Sequence, residues 1–164
     1  MPQGLRMCEE LVQSVTAKLE EAQSLYHRLV LLVGPSGSRK TQYLREVANR
    51  KNIPLVNVGI DLARLLLPLT DRQRALQTPQ LMRALVTAIN SEAVILDNLE
   101  VLFSPTLQQD PLRLLESLSR NRSIAAAWAG TTDGQWITYA EPDHPEYRRY
   151  MIKDLLIVDA QQRD

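Results

Sequence analysis

Cysteine is almost missing from this 164-residue chain: Cys8 stands alone, so no disulfide can form within one copy. His27 and His144 add no metal-ligand spacing to that single thiol, and both read as ordinary polar residues. An excess of either charge is also missing, because Lys+Arg and Asp+Glu are both 19 and the formal net charge is zero. Such a chain projects no global field toward nucleic acid or an anionic membrane, and contact with DNA would need a local patch. No uninterrupted apolar run approaches the ~18–20 residues of a membrane span. Glu9 and Glu10 stand where a secretory signal would be apolar, so a cytoplasmic location is expected. Repeats, low-complexity tracts and linkers are lacking too. With 45% hydrophobic residues the expectation is one domain over 1–164, an amphipathic helix in 1–27 preceding an α/β core in 28–164.

What is present is a loop signature. Leu29 to Val33 is a buried-strand pattern that runs into Gly34-Pro35-Ser36-Gly37-Ser38-Arg39-Lys40-Thr41, and helical spacing of Leu44, Val47 and Ala48 follows. The pattern G-x-x-x-x-G-K-[ST] is met at Gly34, Lys40 and Thr41, with Arg39 where its last glycine belongs. Consecutive backbone N–H groups at a helix N-terminus can cradle a polyphosphate, a lysine there meets the β- and γ-phosphates, and the threonine hydroxyl ligates Mg²⁺. A Gly-Pro-Ser-Gly stretch alone is only a turn; the strand before and the helix after are the setting the phosphate loop requires. Arg39 either distorts or occludes that loop, the favoured expectation, or swings out and offers its charge to a phosphate.

Apolar positions at Leu5, Cys8, Leu11, Val12, Val15, Leu19, Ala22 and Leu25 predict a helix over 5–27, covering the sheet or packing on another subunit. After the loop helix, broken at Asn52, the pattern predicts a strand over 54–58, a short helix over 61–67 ended by Pro68, and a helix over 71–76 capped by Thr70. A further amphipathic helix is expected over 80–89, a doubly buried strand over 93–97, a helix over 110–119 and a strand over 123–128 ending at Gly130. A small hairpin arm at 136–139 and a last strand at 154–158 complete the pattern. Alternating strands and helices predict a three-layer α/β phosphate-loop domain with a mainly parallel, five-stranded sheet and no C-terminal helical lid.

Asp97 closes an apolar strand, the place from which a carboxylate reaches a metal held by the loop threonine; by itself it would cap the segment that begins at Asn98. Asn98 can position water but cannot accept its proton, so Glu100 is the candidate base beside the reading of it as a surface glutamate. Two arginine pairs stand out, Arg120 with Arg122 and Arg148 with Arg149. Solvated helix ends are the default for each, while a neighbouring subunit's arginine can neutralise charge developing on a γ-phosphate. Trp128 and Trp136 read as core or interface aromatics, since no basic stripe accompanies them.

Three stretches carry a resemblance: Leu-Asp-Asn-Leu-Glu-Val-Leu-Phe, Gln-Asp-Pro-Leu-Arg-Leu-Leu with Leu-Ser-Arg-Asn-Arg, and Tyr-Ala-Glu-Pro-Asp-His-Pro-Glu-Tyr-Arg-Arg-Tyr. Over about Leu29 to Val158 the chain resembles the BrxF family, the small P-loop proteins of type 3 BREX phage-defence systems in bacteria. The resemblance implies an AAA+-like core, ATP with Mg²⁺, partner proteins of the same defence system and assembly of the chain with itself, as in a ring, through nucleotide sites at subunit interfaces. It places Arg148 and Arg149 before the last strand, where AAA+ ATPases carry a trans-acting arginine, and Thr131, with Thr132, where they carry a sensor residue. Arg39 departs from the glycine expected of the family. Three functions follow: an ATPase subunit of the defence complex, a scaffold module with a degenerate loop, and, ranked last, a small-molecule phosphotransferase.

Overall fold

The computed structural model describes residues 2–161; Met1 and residues 162–164 of the expected domain lie outside the described residues. Its centre is β1 (Leu29–Gly34), buried along its whole length. Successive side chains of a strand face opposite ways, and β1 follows that rule: Leu29, Leu31 and Val33 enter one core, Val30 and Leu32 the other. On the second face lie α1 (Gln3–Ala22), through Leu11, Val12, Val15 and Leu19, and α2 (Lys40–Lys51), through Tyr43, Leu44 and Val47. The first face is covered by α3 (Val58–Leu66), α4 (Asp71–Thr87), α5 (Pro111–Leu118) and two 3-10 turns, Leu99–Phe103 and Pro105–Leu107.

Five strands run parallel in the order β2 (Leu55–Asn57), β3 (Ala93–Asp97), β4 (Ser123–Thr132), β1, β7 (Leu156–Asp159). This three-layer, mainly parallel α/β arrangement agrees with the strand-helix alternation of the sequence. The expected count of five strands is too low. β5 (Trp136–Tyr139) and β6 (Arg148–Met151) add an antiparallel ladder to the end of β4, making seven. Only β5 showed in the sequence. Gly130 permits the close approach of β5 to β4, because a Cβ there would collide with the Thr138 carbonyl.

Several boundaries move for physical reasons. α1 stops at Ala22 rather than at His27, and Leu25 and Tyr26 are exposed, because the chain turns back to feed β1 with the Arg28 N–H on the Ser119 carbonyl at 3.0 Å. β2 is trimmed to 55–57 because the Asn57 side chain accepts the Ile60 N–H and starts α3 three residues earlier than the pattern suggested. The last strand begins at Leu156, after Asp154 turns the chain at φ 57°, and runs to Asp159.

The two helices expected over 71–76 and 80–89 are one. Thr70 opens α4 with a capping box: its hydroxyl accepts the Gln73 N–H at 3.2 Å and the Gln73 side chain accepts the Thr70 N–H at 2.9 Å. Pro79 has no N–H to give the Ala75 carbonyl, which would ordinarily end or kink the helix. Here the side-chain amide of Gln109 donates to that carbonyl at 2.9 Å, and the fully buried Thr78 returns its hydroxyl to the Arg74 carbonyl at 2.6 Å.

Candidate functional site

Gly34 and Asp97 end β1 and β3, so the loop after β1 and the carboxylate after β3 meet at the carboxyl edge of the sheet, where open α/β sheets hold their ligands. The loop is tight. A Cβ on Gly34 would collide with the Ser38 hydroxyl and approach Ala160 Cβ to 3.0 Å, and Gly37 sits at φ +84°. The Ser38 N–H and hydroxyl both donate to the Pro35 carbonyl, at 3.2 and 2.7 Å, closing the turn.

Arg39 takes the glycine's place in this turn by carrying the strain in its own backbone. It adopts the left-handed conformation itself, φ 65° and ψ 27°, and α2 starts directly after it with the Tyr43 N–H on the Arg39 carbonyl at 3.2 Å. A residue with a Cβ pays about 1–2 kcal/mol there that glycine does not. Exposed at the surface, Arg39 lines a groove of about 320 Å³ together with Gly4, Met7, Tyr43 and Ala160.

Lys40 folds its ammonium into the loop, donating to the Gly34 carbonyl at 2.7 Å, the Pro35 carbonyl at 2.9 Å and the Ser38 hydroxyl at 3.4 Å. Burial lowers its pKa from the ordinary lysine value, and the negative charges of Glu100 and Asp97 oppose that shift. Thr41, one residue on, donates its hydroxyl to Asp97 Oδ2 at 2.7 Å. Asp97 is 3% exposed, and its other oxygen accepts the Asn98 N–H at 2.9 Å. The capping alternative for Asp97 thus amounts to one bond, to the next residue. Asn98 stands at φ 56°, with its Cβ and carbonyl against Gly59 at the start of α3, while Glu100 lies on the exposed side of the first 3-10 turn with its charge felt at Lys40.

The loop 34–41 and Asp97 are therefore brought together, Glu100 is near enough for its charge to act on Lys40, and the remaining candidates have other bonds. Thr131 lies inside β4 rather than past it, its hydroxyl 2.8 Å from that of Thr138. Arg148 donates to the Gln109 carbonyl at 2.7 Å, and Arg149 lays its guanidinium over the Trp136 ring at 3.8 Å. Of the other pair, Arg122 closes the end of α4 by donating to the carbonyls of Val86 and Ile89, and Arg120 lies over Tyr26. Trp128 is a core residue, edge-on to Phe103, Tyr139 and Tyr150.

Two neighbours of the site escaped the sequence reading. Asn57 ends β2 in register with Asp97, and an asparagine between a short strand and a helix is the signal that would have found it. Tyr139 stacks on Phe103 at 3.5 Å, and burial, followed by the charges of Glu100 and Glu146, lifts its pKa to about 12; nothing in the local sequence announces that.

Among the described residues no cluster of three His, Cys, Asp or Glu side chains could hold a metal by itself, so a cation at Thr41 and Asp97 would take further ligands from a bound anion. Nor is any helix among the described residues long and apolar enough to cross a membrane. No family model and no curated protein matches the chain. Among solved structures it is similar to C. elegans PCH-2, at 13% identity and a TM-score of 0.47, over 97% of this chain and 43% of that one. The chain thus spans less than half the length of that protein, and the fold is defined here by its strand order and loop geometry.

Proposed function

We propose that residues 34–41 with Asp97 form an ATP and Mg²⁺ site on an AAA+-like P-loop core. The observation that carries this reading is the Thr41–Asp97 bond: a buried carboxylate at the end of β3 holds the hydroxyl that follows Lys40, the pair a phosphate-bound cation requires. The residues present fit the group. Backbone N–H groups of Ser36, Gly37 and Arg39 to Thr41 and the Lys40 ammonium would hold phosphates, Thr41 and Asp97 would hold Mg²⁺, and Glu100 would accept the proton of an attacking water. ATP with Mg²⁺ supplies the phosphoanhydride whose cleavage drives work. Assembly with further copies would add a neighbour's arginine, and Arg149 suits that role better than Arg148 because it is exposed and lies over a ring face rather than being bonded to a backbone carbonyl. Thr131 would serve as a sensor. Together with the motif resemblance, this supports a 1–164 domain acting in the cytoplasm as the ATPase subunit of a bacterial BREX phage-defence complex, alongside that system's other proteins and without a charge pattern that calls for DNA.

One observation favours a second reading, a scaffold module that does not need nucleotide: Lys40 already spends its ammonium on the loop's own oxygens while Arg39 strains the turn. Calorimetry of Mg²⁺-ATP against the native chain and Arg39→Gly separates the two. Heat from the glycine variant supports the nucleotide site; no heat from either leaves the scaffold.

A further inference from the structure

Residues 99–110 link the end of the Asp97 strand to α5 and carry Glu100 near their start. The β5–β6 ladder grips this segment at both ends with one cross-strand pair. Tyr139 of β5 lies opposite Arg148 of β6. The Tyr139 ring stacks on Phe103 at 3.5 Å and an interplanar angle of 9°, while Arg148 reaches the Gln109 carbonyl at 2.7 Å. The next inward-facing residue of β6, Tyr150, donates its hydroxyl to Asp110 at 2.9 Å. Gln109 passes the hold onward, its side chain donating to the Leu107 carbonyl at 2.7 Å and the Ala75 carbonyl at 2.9 Å. Along the segment Leu102, Phe103 and Leu107 are buried, and close packing of that kind transmits a displacement of one end to the other.

We infer that Arg148 is a positioning residue for Glu100: acting in cis, it fixes the far end of the 99–110 segment and so sets the carboxylate relative to Lys40. Its neighbour Arg149 points to the other side of the strand and takes no part in this grip. A guanidinium that is half-buried and spent on a carbonyl of its own chain is poorly placed to act on another subunit. The role of Glu100 rests on the nucleotide reading above; the mechanical coupling does not.

The test therefore has two arms. In the nucleotide-free full-length chain, amide hydrogen exchange is followed in native, Arg148→Lys and Arg148→Ala proteins. Loss of a charge-assisted bond accelerates exchange about tenfold at 107–110, and the coupling carries the increase back to 100–104, with Arg148→Lys in between. Acceleration confined to 107–110 overturns the proposal. In an Arg39→Gly background, Arg148→Ala lowers kcat for ATP about tenfold to a hundredfold while KM changes less than about twofold, as expected for misplaced chemistry rather than lost binding. Mixing this variant with Asp97→Ala subunits restores nothing, since each kind of subunit then lacks a residue of its own site; restored turnover would make Arg148 a trans residue and overturn the proposal. Should the Arg39→Gly chain with native Arg148 show no turnover, the ATPase reading fails, and the exchange arm still decides the coupling.

Discussion

Thr41 and Asp97, 56 residues apart in sequence, share a 2.7 Å hydrogen bond at the end of the sheet, with the carboxylate nearly sealed from solvent. Asp97→Ala removes the acceptor and the metal-side charge together. In an Arg39→Gly background it is expected to lower Mg²⁺-dependent ATP turnover by at least about a hundredfold, roughly 3 kcal/mol of barrier. A phosphate-release assay checks this, and unchanged turnover would remove Asp97 from the site.

Arg39→Gly should stabilise the chain by about 1–2 kcal/mol by relieving the left-handed backbone, offset in part by the greater freedom of glycine in the unfolded chain. Arg39→Ala, which keeps a Cβ, should gain little. Urea unfolding midpoints of the three proteins make the comparison, and a glycine variant no more stable than the alanine one would show that the loop stores no strain.

Gln109→Ala leaves the Ala75 carbonyl without its donor and should cost about 1–2 kcal/mol. Adding Pro79→Ala restores a backbone N–H inside α4, so the double variant should recover more than half of that loss. This non-additivity is read from a double-mutant cycle in denaturant; purely additive effects would mean that Gln109 does not stand in for the missing amide.

Tyr150 carries a pKa raised from 10.0 to about 12, first by burial and then by its bond to Asp110. A raised folded pKa gives stability that is whole below the unfolded value and lost as pH climbs through the folded one. Stability should therefore fall between pH 10 and about 12, and Tyr150→Phe should flatten that fall while lowering stability at neutral pH. Unfolding midpoints taken across the alkaline range test it, an unchanged slope being the adverse result.

Much of this architecture could be read from local chemistry. β1 and β3 are continuous apolar runs whose ends are fixed by Gly34 and Asp97, and Thr70 announces a helix start. What escaped reading depends on partners distant in sequence. Pro79 looks like a break until Gln109 is known to reach it. β6 reads Arg-Arg-Tyr-Met, half exposed and with little apolar contrast, and becomes a strand only because β5 offers it an edge. The site divides the same way. The loop and Asp97 are spelled in sequence, whereas Asn57 and Tyr139 join them only through strand register and a ring stack.

The Lys40 ammonium already rests on two carbonyls and a hydroxyl of its own loop. An incoming anion would have to exchange partners with these oxygens rather than fill a waiting hole. Its association rate would then level off at high concentration, limited by how often the lysine lets go.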